Sequence, residues 1–246
     1  MRGRPQKQGH AGLFRVLALV GVFGWLSLLS GCFSGGGSSS PTSGGMVSKE
    51  NRLAAHLKMG AAFLEVGNYN AALAELSKAD QLEPNNVEVN GYLGMAYFHR
   101  GDIPEAIARY QKVLALDPKR TETHNNLGLI YLRQRDFAQA RAEFELCLND
   151  PTYSQVHLAQ FNLGLLEESQ GHIDQAEAIY HKVINSNQMP AAYYRLGQLS
   201  LQKRDPRKAA DYLLAAVRLN PRYADAYFSL AVAYEELGLK DEAAEA

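Results

Sequence analysis

The chain has 246 residues, 46% of them hydrophobic, with 25 basic and 26 acidic side chains and a formal net charge of −1. That apolar share supports a folded domain, and a composition with no basic stripe makes nucleic acid an unexpected partner. No His-Glu-x-x-His, paired Cys, Gly-x-Ser-x-Gly or phosphate-loop pattern occurs, so neither an enzyme nor a bound metal, cofactor or small-molecule substrate is expected.

The first element is a leader. Arg2, Arg4, Lys7 and Arg15 are basic, and residues 1–31 contain no Asp or Glu. Residues 16–29 form an apolar run too short for a comfortable membrane span. It ends in Leu29-Ser30-Gly31-Cys32. This quartet resembles a bacterial lipobox, in which a signal peptidase cuts before the Cys and the Cys is acylated. Residues 1–31 therefore read as a lipoprotein signal peptide, and Cys32 as the lipidation site. An ordinary signal peptide with an incidental Cys is the plainer alternative. Several acyl chains give stable anchoring. Enteric lipoproteins kept at the inner membrane carry Asp after that Cys; Phe33 stands here, which implies the periplasmic face of the outer membrane. Loss of the four basic residues of the leader leaves 21 basic and 26 acidic side chains, a net charge of −5.

Residues 32–48 follow as a tether rich in Gly and Ser. Such a segment behaves as a flexible coil and spans roughly 22–26 Å root-mean-square from Cys32 to about Asn51. A domain on its far side can turn freely above the lipid.

From residue 49 onward the chain repeats. Gly60, Gly94 and Gly128 recur at steps of 34, and Gly164, Gly197 and Ala231 continue the series. Each follows Leu or Met. Ala stands twelve residues later, at Ala72, Ala106, Ala140, Ala176, Ala209 and Ala243. Sixteen residues after each of the five glycines comes a large side chain: Leu76, Tyr110, Phe144, Tyr180 and Leu213. This period and pattern mark a tetratricopeptide repeat. The expected fold is all-α, a right-handed superhelical solenoid of about six helix-turn-helix repeats. They fall near residues 53–86, 87–120, 121–154, 157–189, 190–223 and 224–246, the last incomplete.

Within a repeat, the small Gly and Ala allow helices A and B to cross closely, and the large residue is expected to fill the gap to the next pair. In the second repeat, helix A is predicted from Asn90 to Arg100. Gly101 then turns the chain, Asp102 caps helix B, and helix B runs from Ile103 to Leu116 before Asp117-Pro118. Turn glycines recur at Gly67, Gly171 and Gly238, but Arg135 and Arg204 replace them in repeats three and five. Those turns need another geometry or a strained Arg. Two residues are inserted near Asp150-Pro151-Thr152-Tyr153, which reads as a longer loop or a bend. Cys147 reads as a small buried thiol; with Cys32 acylated, no disulfide can form within the mature chain. The seven His are scattered and read as solvated, as do Glu167-Glu168 and Glu235-Glu236.

Helix A of each unit is expected to line a concave face. Residues three before, one after and four after the repeat Gly should point inward. They include Met95, Phe98, Asn125, Leu129, Phe161, Tyr194 and Phe228. Asn162 with Arg195 is a fragment of the Lys, Arg and Asn clamp that other solenoids of this type use to hold a peptide carboxylate. The groove suits an extended apolar segment, with Asn125, Asn126 and Asn162 free to bond its backbone. The aromatic trio Phe161, Tyr194 and Phe228 is expected to carry much of the affinity. The alternative is that several of these side chains pack against adjacent helices.

Two stretches are more specific. Asn125-Asn126-Leu127-Gly128 with Arg135-Asp136-Phe137-Ala138-Gln139-Ala140 is one. Asp150-Pro151-Thr152-Tyr153 with Phe161-Asn162-Leu163-Gly164 is the other. Together with the lipobox and tether, they resemble the type IV pilus biogenesis lipoproteins (pilotins) of the PilF, PilW and Tgl kind, over Cys32 to Ala246. That resemblance implies an outer-membrane lipoprotein that binds a secretin subunit of the type IV pilus and promotes its localisation and multimer assembly. The Gly/Ser-rich tether and the incomplete sixth repeat depart from the family. The other reading is a general envelope scaffold, an adaptor for cell-wall hydrolases or outer-membrane assembly.

Overall fold

The computed structural model describes residues 48–245; the signal peptide, Cys32 and the tether through residue 47 lie outside them. The described residues form twelve helices and divide into two compact units at Lys119 and Arg120. The first unit holds α1 (Lys49–Glu65), α2 (Tyr69–Leu82), α3 (Val87–Arg100) and α4 (Ile103–Leu116). In the second lie α5 (Thr121–Arg133), α6 (Phe137–Leu148), α7 (Val156–Ser169), α8 (Ile173–Ser186), α9 (Pro190–Gln202), α10 (Pro206–Leu219), α11 (Ala224–Leu237) and α12 (Lys240–Glu245). Consecutive helices pair as hairpins, α1 with α2, α3 with α4, and so on in each unit. None of these helices is long and apolar enough to cross a membrane.

Caps set the helix starts. Asn68, Asn86, Asp136 and Asp205 each accept a backbone N–H from the first turn of the helix they precede. Asn86 starts α3 at Val87, three residues before the predicted Asn90. Asp102 precedes α4 as predicted but makes no capping bond; its carboxylate is drawn instead to the side chain of Arg100.

The turns follow the expected alternative, an Arg in a strained conformation. Gly67, Gly101, Gly171 and Gly238 have φ between 72° and 100°, and Arg135 and Arg204 adopt the same left-handed region at 63° and 58°. A side chain there costs about 1–2 kcal/mol through contact of Cβ with the following carbonyl. Arg135 recovers part of this by laying its guanidinium over the Phe137 ring at 5.7 Å. Arg204→Gly should therefore raise stability by about 0.5–1 kcal/mol, after the larger unfolded-state entropy of Gly is deducted. Urea melts of the two proteins give the value.

The core explains the repeat. Ala72, Ala106, Ala140, Ala176 and Ala209 are fully buried, while Ala243 on α12 is only partly covered. The large residue sixteen on is expected at the gap to the next hairpin, and Leu76 does share a core cluster there with Val89, Leu93 and Ala96. It also lies on the Gly of its own hairpin, because helix B returns antiparallel across helix A. A Cβ at any of the five repeat glycines would come within 2.4–2.7 Å of it; for Gly128 and Gly164 the obstacles are the Phe144 and Tyr180 rings.

At the inserted loop, Asp150 accepts hydrogen bonds from the Thr121 hydroxyl and from the Thr152 hydroxyl and amide. Cys147 is buried, and its thiol donates to the Thr121 carbonyl at 3.4 Å. Burial, with Glu143 nearby, pushes that thiol up to about 12. It is a packing residue with an inert sulfur.

Candidate functional site

The residues expected on one open face differ widely in exposure. In the first unit Phe98 is buried in the core, whereas Met95 is half-buried. Beside it Gly91 leaves a gap, since a Cβ there would meet nothing within 4 Å. In the second unit Asn126 and Leu129 are half-buried, and Phe228 is 74% exposed. Phe161, Asn125, Asn162, Tyr194 and Arg195 are all buried.

This corrects the groove reading for those five. Within the second unit, α5 lies against α7 and α9 against α11, so this face of each A helix meets the next hairpin. Asn162 donates to the Asn125 side-chain carbonyl at 2.9 Å, and neither is free for a peptide backbone. Phe161 packs its ring against Tyr180 at 5.6 Å, inside its own hairpin. Tyr194 faces Tyr223 of the following hairpin at 5.0 Å. Gln198 of α9 donates to Ser229 of α11 at 2.6 Å.

Arg195 is no carboxylate clamp, because the chain supplies its carboxylate. Its guanidinium makes a two-pronged bond to Glu168 of α7, one arm at 3.0 Å. The Tyr180 hydroxyl donates to the same carboxylate at 2.9 Å. Burial works against the Arg195 charge, but Glu168 outweighs it and the pKa lies above its ordinary value. Burial, with Glu168 beside it, also holds the Tyr180 phenol far above its usual range.

The histidines are less solvated than the sequence suggested. His56 meets Glu75 and His124 meets Glu143, each at 2.7 Å, and His172 meets Glu167 at 2.8 Å. Glu167 is itself buried and also pairs with Arg141, so it is no surface carboxylate. His181 has Glu177 at 3.8 Å. Two of these pairs follow one rule: four before the repeat Gly with fifteen after it. Asn90 and Arg109 obey it too, at 2.9 Å. That recurrence, nineteen residues apart in chain, is a signal the sequence carried. In the fourth repeat the rule sets Gln160 against Ile179, and the Gln160 carbonyl is buried with no partner. Gln160→Leu should remove an orphaned acceptor and stabilise by about 1 kcal/mol in chemical denaturation.

The polar groups of the second unit's A helices are thus largely spent on one another. Of the residues expected in the groove, Met95 in the first unit and Asn126, Leu129 and Phe228 in the second are left half-buried or exposed. Among the described residues no group of three or more His, Cys, Asp or Glu could hold a metal ion.

Family models described as TPR repeat match residues 94–134, and others described as tetratricopeptide repeat match residues 63–110, 125–190 and 194–246. No curated protein matches the chain at a significant level. Among solved structures, one described as PilW, a widely conserved type IV pilus biogenesis factor, is 22% identical with a TM-score of 0.66, over 78% of this chain and 89% of its own. PilF of Pseudomonas aeruginosa is 21% identical with the same TM-score, over 80% of this chain and 89% of its own. A thermophilic TPR protein of Thermus thermophilus reaches 20% and 0.65, over 74% and 99%. At these identities the likeness is one of fold. Hairpins of one period, glycines under large side chains and family models spanning most of the described residues agree: the chain belongs to the tetratricopeptide-repeat proteins.

Proposed function

We propose that this protein is a lipid-anchored outer-membrane adaptor of the pilotin kind, which holds a secretin subunit of the type IV pilus and promotes its localisation and multimer assembly. The observation that carries the reading is a combination in one chain: a lipobox-like Leu29-Ser30-Gly31-Cys32, a tether, and repeats joined by Asp150-Pro151-Thr152-Tyr153 before Asn162-Leu163-Gly164. The fold shared with the PilW and PilF structures supports it. Repeats of this type work as protein-binding scaffolds rather than enzymes. Met95 beside the gap at Gly91 offers apolar contact in the first unit, and Leu129, with Asn126 on the same helix, does so in the second; each suits an apolar stretch of a partner.

The test is capture of the intact lipoprotein from gently solubilised envelopes. A secretin should co-purify. Cell-wall hydrolases or outer-membrane assembly factors in its place would favour the general adaptor. The anchor is tested separately. Cys32→Ala should move the protein from the outer membrane to the soluble periplasm with an unchanged melting curve. Retention of Cys32→Ala at the wild-type level would exclude lipid as the anchor.

A further inference from the structure

Two turns of the second unit carry a backbone cost that Gly avoids in the other repeats. Arg135 joins α5 to α6 and Arg204 joins α9 to α10, both in the left-handed region. Arg135 rests on the Phe137 ring, whereas Arg204 has no such contact among the described residues. Backbone strain that the fold itself does not require points to a use for the side chain. Both arginines are exposed, and so is Arg207 at the start of α10.

The lysines beside them are already used. Lys203 pairs with Asp174 and Glu177, and Lys208 pairs with Glu177, at 2.5–2.9 Å. Asp205, the acid between the arginines, caps α10. Among the described residues, no ion pair engages Arg135, Arg204 or Arg207. Each turn from helix A to helix B falls on the same edge of the unit, so the three cations share that edge. Stacking does not close it. The α7–α8 and α9–α10 turns have a hairpin on either side within the unit, yet Gly171, His172 and Arg204 are exposed there.

We infer that this edge rests on an anionic phospholipid surface, with Arg135, Arg204 and Arg207 paired to headgroup phosphates. A guanidinium meets a phosphate with two parallel bonds and keeps its charge at any physiological pH. A membrane offers phosphates at every spacing, so turns two repeats apart can both be served without a register to match. The inference rests on the lipid-anchor reading for its place in the cell. On that reading, residues 32–48 hold the domain within roughly 22–26 Å of the lipid. Contacts too weak to hold a free protein then orient a tethered one. They turn this edge to the membrane and leave the helix faces to protein partners.

The Cys32→Ala protein, purified from the soluble fraction, tests the contact without the anchor. At low salt and high lipid it should float with phosphatidylglycerol vesicles and not with phosphatidylcholine vesicles, and added salt should release it. Partition should fall roughly fivefold for each cation removed by Arg135→Gly, Arg204→Gly and Arg207→Gln. Gly suits both turns, so these variants should melt at or above the wild-type temperature, which separates lost binding from lost folding. The inference is overturned by no flotation, by equal flotation with phosphatidylcholine, or by variants that float as the parent does. Binding of a polyglutamate peptide in place of the vesicles would assign the edge to an acidic protein segment and equally overturn it. Where the Cys32→Ala protein fractionates in cells bears on the anchor alone, so the two readings fail separately.

Discussion

Phe144→Ala should destabilise the protein by about 3–5 kcal/mol, the range for removing a buried aromatic ring. Phe144 is fully buried, and its ring edge stands where a side chain on Gly128 would begin: a Cβ there would lie 2.5 Å from it. Gly128→Ala should itself cost about 1–3 kcal/mol, because the crossing has no room and the ring no free direction. The two changes must be coupled. With Phe144→Ala in place the obstacle is gone, and Gly128→Ala should then be neutral or mildly stabilising, as Ala is the better helix former. Chemical denaturation of the four proteins closes the cycle. Additive costs would mean that Gly128 is small for some reason other than the Phe144 ring.

Arg195→Met should cost on the order of 3 kcal/mol, because it leaves the Glu168 carboxylate half-buried beside Tyr180 without its cation. Replacing both, Arg195→Met with Glu168→Leu, should cost less than Arg195→Met alone. The remaining penalty is that of the Tyr180 hydroxyl, which loses its acceptor. A double variant less stable than either single one would show that the pair contributes net stability beyond its desolvation. In that event the account of this network as two mutually compensating charges fails.

Much of the fold was legible in the sequence, and the reasons are local. The Gly–Ala–large pattern reports a helix crossing whose geometry repeats every 34 residues, so Gly128, Ala140 and Phe144 could be placed before any coordinates. Left-handed turns announce themselves by Gly, and the same position in other repeats exposed Arg135 and Arg204 as the exceptions. The site was less legible because it depends on what lies beside each helix. Phe161, Tyr194 and Phe228 share a register, yet two are buried and one is exposed. Phe161 packs on Tyr180 of its own hairpin and Tyr194 on Tyr223 of the next, neither of which adjoins it along the chain. Arg195 read as a cation awaiting a ligand because its partner Glu168 sits 27 residues earlier, on another helix. By contrast, the His56–Glu75 and His124–Glu143 pairs could have been found, since their spacing of nineteen recurs.

The central claim is that this scaffold promotes secretin assembly, and it is tested most directly in cells that lack the protein. Wild-type protein supplied in trans should restore the heat-resistant secretin multimer to the outer membrane. A Met95→Ala, Leu129→Ala variant of equal abundance and melting temperature should leave the secretin largely monomeric. Full multimer in cells without the protein would contradict the account, and so would full restoration by the variant.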